Sequence, residues 1–448
     1  MNMKESNPTT AIIGLGKTGL SVAKYLKNKN LDFAVYDTKK DLKITDYICQ
    51  FVDRKNIFLG EFDKNIIKKH NNFIISPGID LHKDFLAEII KKNKKISSDI
   101  DLFNTENTSK IIAITGSNGK TTVTSIVEHI LLKMGIKAKA GGNIGYPALE
   151  LLNNKYEYSI LELSSFQLEL MDKINCAASA ITNITPDHLD RHVTFENYIK
   201  IKHKIFENTE HVILNREDEN INSEILNYEY SFGSNKPKDK KEFGISYKNG
   251  KKYISHGNEK LLCEDEIQLI GTHNMINVCT SLCILFSLGF DSKLTSRHVG
   301  SFHPIEHRME NFYNNGQIRW INDSKATNID STISAINSLE ENIILILGGK
   351  SKQDNYEKLN DVISNKIYEI IIYGESKDLL GNAIDNKNKV VKVVNIEHAV
   401  SLAKETAKKI VKNRNSVINI LLSPACSSYD MFNSYEERGA YFKKCVLG

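Results

Sequence analysis

The chain has no excess of charge of either sign, no CxxC pair and no apolar run near membrane-spanning length, and each absence removes a class of function. Lysine and arginine number 59 against 55 aspartate and glutamate, a formal net charge of +4 over 448 residues. The charges are scattered rather than gathered into a basic tail or stripe, which argues against nucleic acid as a partner. Lysine clusters such as Lys91 to Lys95 and Lys236 to Lys241 read as solvated surface. Seven cysteines include only one close pair, Cys279 and Cys283, one helical turn apart in an apolar segment. That spacing suits reduced core thiols better than disulfides or a zinc site. Met1 to Thr10 is polar and lacks the basic and apolar blocks of a signal peptide, so a cytoplasmic protein with no membrane partner is expected.

What is present fits a multidomain soluble protein. Hydrophobic residues make up 41% and charged residues 25%, and the length exceeds what one ordinary core organises. Three blocks are expected, 1–97, 98–302 and 303–448, each α/β. The first opens with the strand pattern Thr10-Ala-Ile-Ile, the turn Gly14-Leu-Gly16-Lys17-Thr18-Gly19, an amphipathic run to Asn28 and a second strand ending at Asp37. Strand, glycine turn, helix, strand is Rossmann order, and Asp37 stands about where an acid would meet a ribose. The same turn will hold any pyrophosphate, so it does not by itself specify nicotinamide. The polar stretch Lys91 to Ser98 reads as a linker.

The second block repeats the theme with ATP-type chemistry. The strand Ile111 to Ile114 runs into Thr115-Gly116-Ser-Asn118-Gly119-Lys120-Thr121-Thr122 and a helical pattern to Met134. Backbone N–H groups in such a turn cradle phosphate, a lysine reaches the β and γ oxygens and a hydroxyl holds magnesium. The loop is a shortened Walker variant, because Ile114 stands where the leading glycine would be. Leu161-Glu162-Leu-Ser164-Ser165-Phe-Gln167 and Thr182-Asn183-Ile-Thr-Pro-Asp187-His188-Leu-Asp190-Arg191 each follow a strand pattern, at the carboxyl ends where α/β proteins place ligands. Glu162 and His188 are therefore candidate magnesium ligands, although a helix-cap acid and a core histidine are the bland readings of each alone. Tyr247 to Tyr253, with Asn249-Gly250 at its centre, reads as a hairpin, giving a mainly parallel sheet with an antiparallel excursion. Strands are also expected at Ile343 to Leu347, Ile370 to Tyr373 and Val417 to Leu421.

Taken together, TGSNGKTT, LELSSFQLE, NITPDHLDRH, Gly271-Thr-His273-Asn274, His307-Arg308, Asn322-Asp323-Ser-Lys-Ala-Thr327-Asn328 and Leu422-Ser-Pro-Ala-Cys-Ser-Ser428 resemble, in order and over essentially the whole chain, the Mur ligases. SSFQLE, NDSKATN and LSPACSS point to the D-glutamate-adding branch. Another branch, or a folylpolyglutamate synthetase-like ligase, is the competing reading. The resemblance implies an ATP-dependent ligase of three domains: a Rossmann-like N-terminal domain, a central P-loop ATPase-like domain and a C-terminal Rossmann-like domain. It would join D-glutamate to UDP-N-acetylmuramoyl-L-alanine through an acyl phosphate, as a monomer.

The resemblance also implies roles. ATP would be met by Gly116, Asn118, Gly119, Lys120, Thr121 and Thr122, with Asn277, Arg308 and Asp323 at its base and ribose. One magnesium would sit on Thr121 and Glu162 and a second on His188 and Lys202, the latter as a carbamate. Lys200 and Lys204 stay open, because the spacing from His188 is one residue shorter than in some relatives. Lys17, Thr18, Asp37 and Thr38 would bind the uridine diphosphate, with Lys17 standing where relatives carry an apolar residue. Asn143, Ser164 and Gln167 would meet the muramoyl end, and Thr327, Lys352, Ser428 and Tyr435 the D-glutamate. Lys350 replaces an acidic residue usual in that segment.

Overall fold

A computed structural model describes residues 9–39, 48–60, 66–79, 84–222, 229–269, 271–303, 306–339, 342–351, 355–363, 366–413 and 417–448. The chain gathers into two compact units, Met1–Leu262 with Ile276–Val299, and Cys263–Met275 with Gly300–Gly448.

The first unit holds two sheets. Strands β1 (Thr10–Ile13), β2 (Phe33–Asp37), β3 (Ile57–Leu59), β4 (Asn72–Ile75) and β5 (Lys95–Ser97) lie in the order β3-β2-β1-β4-β5, every neighbouring pair parallel. The order reverses at β1, so the crevice above its carboxyl end is where a doubly wound sheet takes a ligand. The reading of Lys91 to Ser98 as a linker is corrected here. Lys91 ends a helix, and Lys95–Ser97 pairs with β4 as an edge strand. Its lysines misled, because an edge strand tolerates charge on its open side.

The second sheet is built from β6 (Lys110–Thr115), β7 (Ala138–Gly142), β8 (Tyr158–Glu162), β9 (Cys176–Ile181), β10 (Thr209–Asn215), β11 (Tyr230–Phe232), β12 (Glu242–Lys248), β13 (Lys251–His256) and β14 (Glu259–Cys263). Their order is β14-β13-β12-β11-β10-β9-β6-β8-β7. The strands from β7 to β12 run parallel, and β12 and β13 form the expected hairpin. Asn249 and Gly250 both have positive φ, +53° and +76°, which is what a two-residue hairpin turn demands. β8 and β9 are buried along their whole length, as parallel strands covered on both faces must be.

One core runs through both sheets of this unit. Val22 and Leu26 from helix Lys17–Asn28 join Ile100 and Phe103 from helix Asp99–Glu106, and Ile111, Leu149 and Leu161 from the second sheet's side. Ser98 and Asp101 cap the shorter helix reciprocally. Asp99 beside them is buried, and burial pushes its carboxyl up to about 7. A carboxyl raised in the folded state stabilises in acid and loses that contribution as pH rises through its folded value. Asp99→Asn keeps an acceptor without the charge, so its melting temperature should exceed the natural protein's by more at pH 8 than at pH 5. An equal shift at both pH values contradicts this.

The second unit carries β15 (Glu310–Asn314), β16 (Ile318–Asn322), β17 (Ile343–Gly348), β18 (Ile367–Tyr373), β19 (Val390–Lys392) and β20 (Ile418–Leu422), in the order β15-β16-β20-β17-β18-β19. All pairs are parallel except β15 with β16. Helix Ile396–Asn413 covers one face through Ile396, Ala399, Ala403 and Ala407, and helix Ile329–Ser338 the other through Ile329, Ala335 and Ile336. All seven cysteines are free, with Cys279 and Cys283 buried. Among the described residues no helix is long and apolar enough to cross a membrane.

Candidate active site

The Gly116–Thr122 loop joins β6 to the 14-residue helix Lys120–Lys133. Two glycines let it turn. Gly116 has φ +149° and Gly119 φ +83°; a side chain at 116 would strike the Thr182 hydroxyl, and one at 119 the Asn277 carboxamide. The loop is held from below by the segment after β9. Asn118 N donates to Asn183 Oδ1 at 2.9 Å, Asn183 Nδ2 and Thr182 Oγ1 both donate to Asn118 O, and Ser117 Oγ donates to Thr185 O at 2.9 Å. The first N–H groups of the helix and its dipole make this end an anion site. Lys120 folds back over the loop, its ammonium donating to Gly116 O at 2.7 Å and Ser117 O at 2.9 Å.

Glu162, at the carboxyl end of β8, is 1% exposed and is the hub of the site. One carboxylate oxygen accepts from Thr121 Oγ1 at 2.7 Å and the other from Asn143 Nδ2 at 2.7 Å. Asn143 is brought in by Gly142, whose φ is +97° and where a side chain would strike the Glu162 carbonyl. Thr121, nominated with Glu162 for magnesium, and Asn143, nominated for the muramoyl end, therefore meet at one carboxylate.

Of the three candidate lysines, Lys202 is the one against the loop. It is 1% exposed, with Nζ 2.9 Å from Gly116 O and 3.4 Å from Thr115 Oγ1, and it lies over the Tyr198 ring at 4.7 Å. Lys200 is exposed, and Lys204 donates to Met171 O at 2.6 Å, away from the loop. Burial first, and the nearby Lys120 ammonium second, drive the Lys202 amine well below the usual lysine range, so it is held towards its neutral form.

His188 is placed differently from Glu162. It has a left-handed backbone, φ +53°, and a side chain 46% exposed, 3.6 Å from the Asp187 carboxylate and tilted against the Phe166 ring at 4.8 Å between centroids. Behind it, Arg191 donates through Nε and Nη2 to Glu169 Oε2 and through Nη1 to Pro77 O at 2.7 Å, with its guanidinium over Phe166. Arg191 thus ties the His188 segment to the turn that follows β4. The sequence reading quoted this arginine and assigned it no role. Ser164 and Gln167 form a reciprocal cap on helix Ser165–Leu170, with Gln167 Oε1 accepting from Ser164 N at 3.1 Å.

In the first sheet, Lys17 and Thr18 open helix Lys17–Asn28. Asp37 accepts from Leu15 N at 2.7 Å and Lys39 N at 2.9 Å, so its carboxylate fastens the glycine turn. Gly19 permits the close approach, since a side chain there would collide with the Gly14 carbonyl. Thr38 follows directly and is exposed.

In the second unit, Asp323 is buried, accepting from Ser423 Oγ at 2.8 Å and Met309 N at 3.2 Å, and burial pushes it up to about 7, with Arg308 among the opposing charges. Thr327 closes a turn onto Lys325 O, Ser428 is 2% exposed, and the Tyr435 ring lies 4.0 Å from the Lys325 ammonium. Lys352 lies outside the described residues. Among the described residues no cluster of three or more His, Cys, Asp or Glu could hold a metal ion. Glu162 with the Thr121 hydroxyl nonetheless suits magnesium, which is held by one or two carboxylates together with phosphate oxygens and water.

Comparison with known proteins shows the family. Three family models match in order: "Mur ligase MurD-like, N-terminal domain" over residues 8–98, "Mur ligase middle domain" over 114–285 and "Mur ligase, glutamate ligase domain" over 307–418. The chain is similar to UDP-N-acetylmuramoylalanine--D-glutamate ligase of Legionella pneumophila, 35% identical over 450 residues and 98% of each chain. The corresponding enzyme of Pseudomonas aeruginosa is 34% identical, over 100% of this chain and 99% of its own. Among solved structures, UDP-N-acetylmuramate-alanine ligase MurC from Thermotoga maritima superposes with TM-score 0.60 at 15% identity, covering 98% of this chain and 99% of that one. MurF ligase from the same organism, in complex with ADP, gives 0.59 at 16%, covering 100% and 97%. These distant likenesses carry the fold, and the sequence relatives carry the kinship. The chain belongs to the Mur ligase family, with a MurD-like N-terminal domain.

Proposed function

We propose that the protein adds D-glutamate to UDP-N-acetylmuramoyl-L-alanine at the expense of ATP, in the assembly of peptidoglycan precursors. The observation that carries this reading is the meeting of Thr121, Asn143 and Glu162 on one buried carboxylate beside a phosphate loop that Lys202 touches. The relatives named for this reaction are similar over the full chain, which supports the same substrates here.

The chemistry is the acyl-phosphate route that the family resemblance implies. A substrate carboxylate oxygen attacks the γ-phosphorus of ATP, the bond to the β-phosphate oxygen breaks, and ADP leaves. The D-glutamate amine then attacks the acyl phosphate, giving an amide and inorganic phosphate. Both steps move negative charge through a small volume, so positioning and charge neutralisation supply most of the acceleration. Gly116, Asn118, Gly119 and Thr122 would present the loop to the phosphates and Lys120 would follow the γ-oxygens, while Asn277, Arg308 and Asp323 would hold the base and ribose. Thr121 and Glu162 would hold one Mg2+ and His188 with carbamylated Lys202 a second; magnesium, when bound, neutralises phosphate charge. Asn143, Ser164 and Gln167 would orient the muramoyl end, Lys17, Thr18, Asp37 and Thr38 the uridine diphosphate, and Thr327, Lys352, Ser428 and Tyr435 the amino acid. Within this reading the domains divide at 97/98 and 302/303, each sheet falling inside one segment, and the enzyme works as a cytoplasmic monomer.

Phosphate release with ATP, magnesium and UDP-N-acetylmuramoyl-L-alanine, compared across D-glutamate, L-glutamate, meso-diaminopimelate and L-lysine, tests the reading. Release with D-glutamate alone is expected. Release with another amino acid moves the protein to another branch of the family.

A further inference from the structure

Among the described residues, the largest fully buried side chain of the second unit is a cation with no carboxylate among its hydrogen-bond partners. Arg438, in helix Tyr435–Leu447, is 0% exposed. Burying a guanidinium is costly unless its N–H groups are satisfied. Here the acceptors come from the carboxyl end of β17 and from the loops after β16 and β20. Nε donates to Ser324 Oγ at 2.9 Å and Nη2 to Ser324 O at 2.7 Å, while Nη1 donates to Cys426 O at 3.1 Å and Gly348 O at 3.4 Å. These are the three strands whose carboxyl ends carry the segments 322–328, 348–351 and 423–428.

The surrounding backbone is shaped to admit the guanidinium. A side chain at Gly349 would meet Ser427 O and come within 3.0 Å of Arg438 Nη1. Lys350 and Ser427 exchange backbone hydrogen bonds at 2.9 and 3.1 Å, zipping two of the loops together over it. The next residue, Gly439, lets the helix touch the His307 ring, and its carbonyl accepts from Asn322 Nδ2 at 3.2 Å. Ser324 Oγ completes the knot by donating to Tyr435 O at 2.8 Å.

The geometry points to Arg438 as a positioning residue that fixes the loops bearing Thr327 and Ser428, and the start of its own helix at Tyr435, in the arrangement that receives the incoming amino acid. This inference rests on the D-glutamate reading of those residues. Asp323 is held also by Ser423 and Met309, neither of which bonds Arg438 directly, so ATP binding should depend on the knot less than amino-acid binding does. Lysine keeps the charge at 438 but cannot reach all three segments at once, because it offers donors from one atom rather than a planar fork.

The test compares KM and kcat of Arg438→Lys, Ser324→Ala, Thr327→Val and Ser428→Ala in the full-length enzyme, with thermal melting of each. Losing charge-assisted bonds to two loops should raise the KM for D-glutamate about 10- to 100-fold in Arg438→Lys, while KM for ATP stays within about twofold. Ser324→Ala, which removes one acceptor of Arg438 and the bond to Tyr435 O but keeps the Ser324 carbonyl, should raise it less, about threefold to tenfold, at near-normal melting temperature. It carries the test if Arg438→Lys does not fold. A purely structural role would lower the melting temperature and the active fraction and leave the KM for D-glutamate unchanged, which overturns the proposal. If Thr327→Val and Ser428→Ala also leave that KM unmoved, the amino-acid reading of the unit has failed. If those two raise it and the Arg438 and Ser324 variants do not, only the positioning role has.

Discussion

Lys202→Ala is expected to lose at least about 100-fold in kcat, as losing a group that completes a metal site does, and to regain part of it in millimolar acetate or formate. The lysine reaches the phosphate loop from a fully buried position, where a charged ammonium is disfavoured by burial and by Lys120. An amine held neutral is the form that captures CO2, and the carbamate so formed presents anionic oxygens where an ammonium would repel a cation. Alanine leaves space at the same place, which a small carboxylate can enter and fill with the same oxygen chemistry. Native mass spectrometry of the unaltered enzyme should show the mass of one CO2, lost on acidification. Activity in Lys202→Ala near that of the natural enzyme, or a loss that no carboxylate repairs together with no added mass, would remove the carbamate from the account.

Glu162→Gln should be more severe, a fall of about 1,000-fold in kcat, the scale of losing one preorganised electrostatic stabiliser. The change is isosteric, so the packing around a side chain 1% exposed is kept. The chemistry is not kept. Glu162 accepts from Thr121 on one oxygen and from Asn143 on the other, and an amide replaces one acceptor by a donor facing a donor. The negative charge that would neutralise bound magnesium is lost as well. Binding of the UDP-linked substrate, measured by calorimetry without ATP, should change by less than about threefold, because in the proposed reading its uridine end would be held by another sheet; this margin corresponds to less than about 1 kcal/mol. A variant with near-normal kcat would show that the carboxylate is a structural anchor for the loop and nothing more.

Much of this was legible in the sequence because the strands carry the information locally. Runs such as Ile343 to Leu347 can only be buried on both faces, and glycines at their ends announce the turns. Asn249-Gly250 announced its hairpin by the same local logic. The linker reading of Lys91 to Ser98 failed because a three-residue edge strand with lysine at its start has no periodicity to recognise. At the site, the loop and Glu162 could be nominated from their place after strands. Lys202 could be nominated over Lys200 and Lys204 only through the family resemblance, since Lys200 and Lys202 stand on one short helix with Lys204 in the turn that follows, and local pattern does not show which of them faces Gly116. Asp37 was read from its place after the second strand as meeting a ribose; that it also accepts from Leu15 N and Lys39 N, fastening the glycine turn, is a fact of the folded backbone that composition does not carry. Arg438 escaped notice for a related reason. Its partners lie at 324, 348 and 426, and they are carbonyl oxygens and a hydroxyl, which leave no charge pattern to read.

The central claim is that this site phosphorylates a substrate carboxylate and hands the acyl group to D-glutamate. Its most direct test is a single turnover with UDP-N-acetylmuramoyl-L-alanine carrying oxygen-18 in its terminal carboxylate, ATP, magnesium and D-glutamate, with phosphate and product read by mass spectrometry. The account predicts one labelled oxygen in each inorganic phosphate released and one retained in the new amide, in equal amounts and only when D-glutamate is present. Label appearing in AMP, or none reaching phosphate while the D-glutamyl product forms, would contradict it.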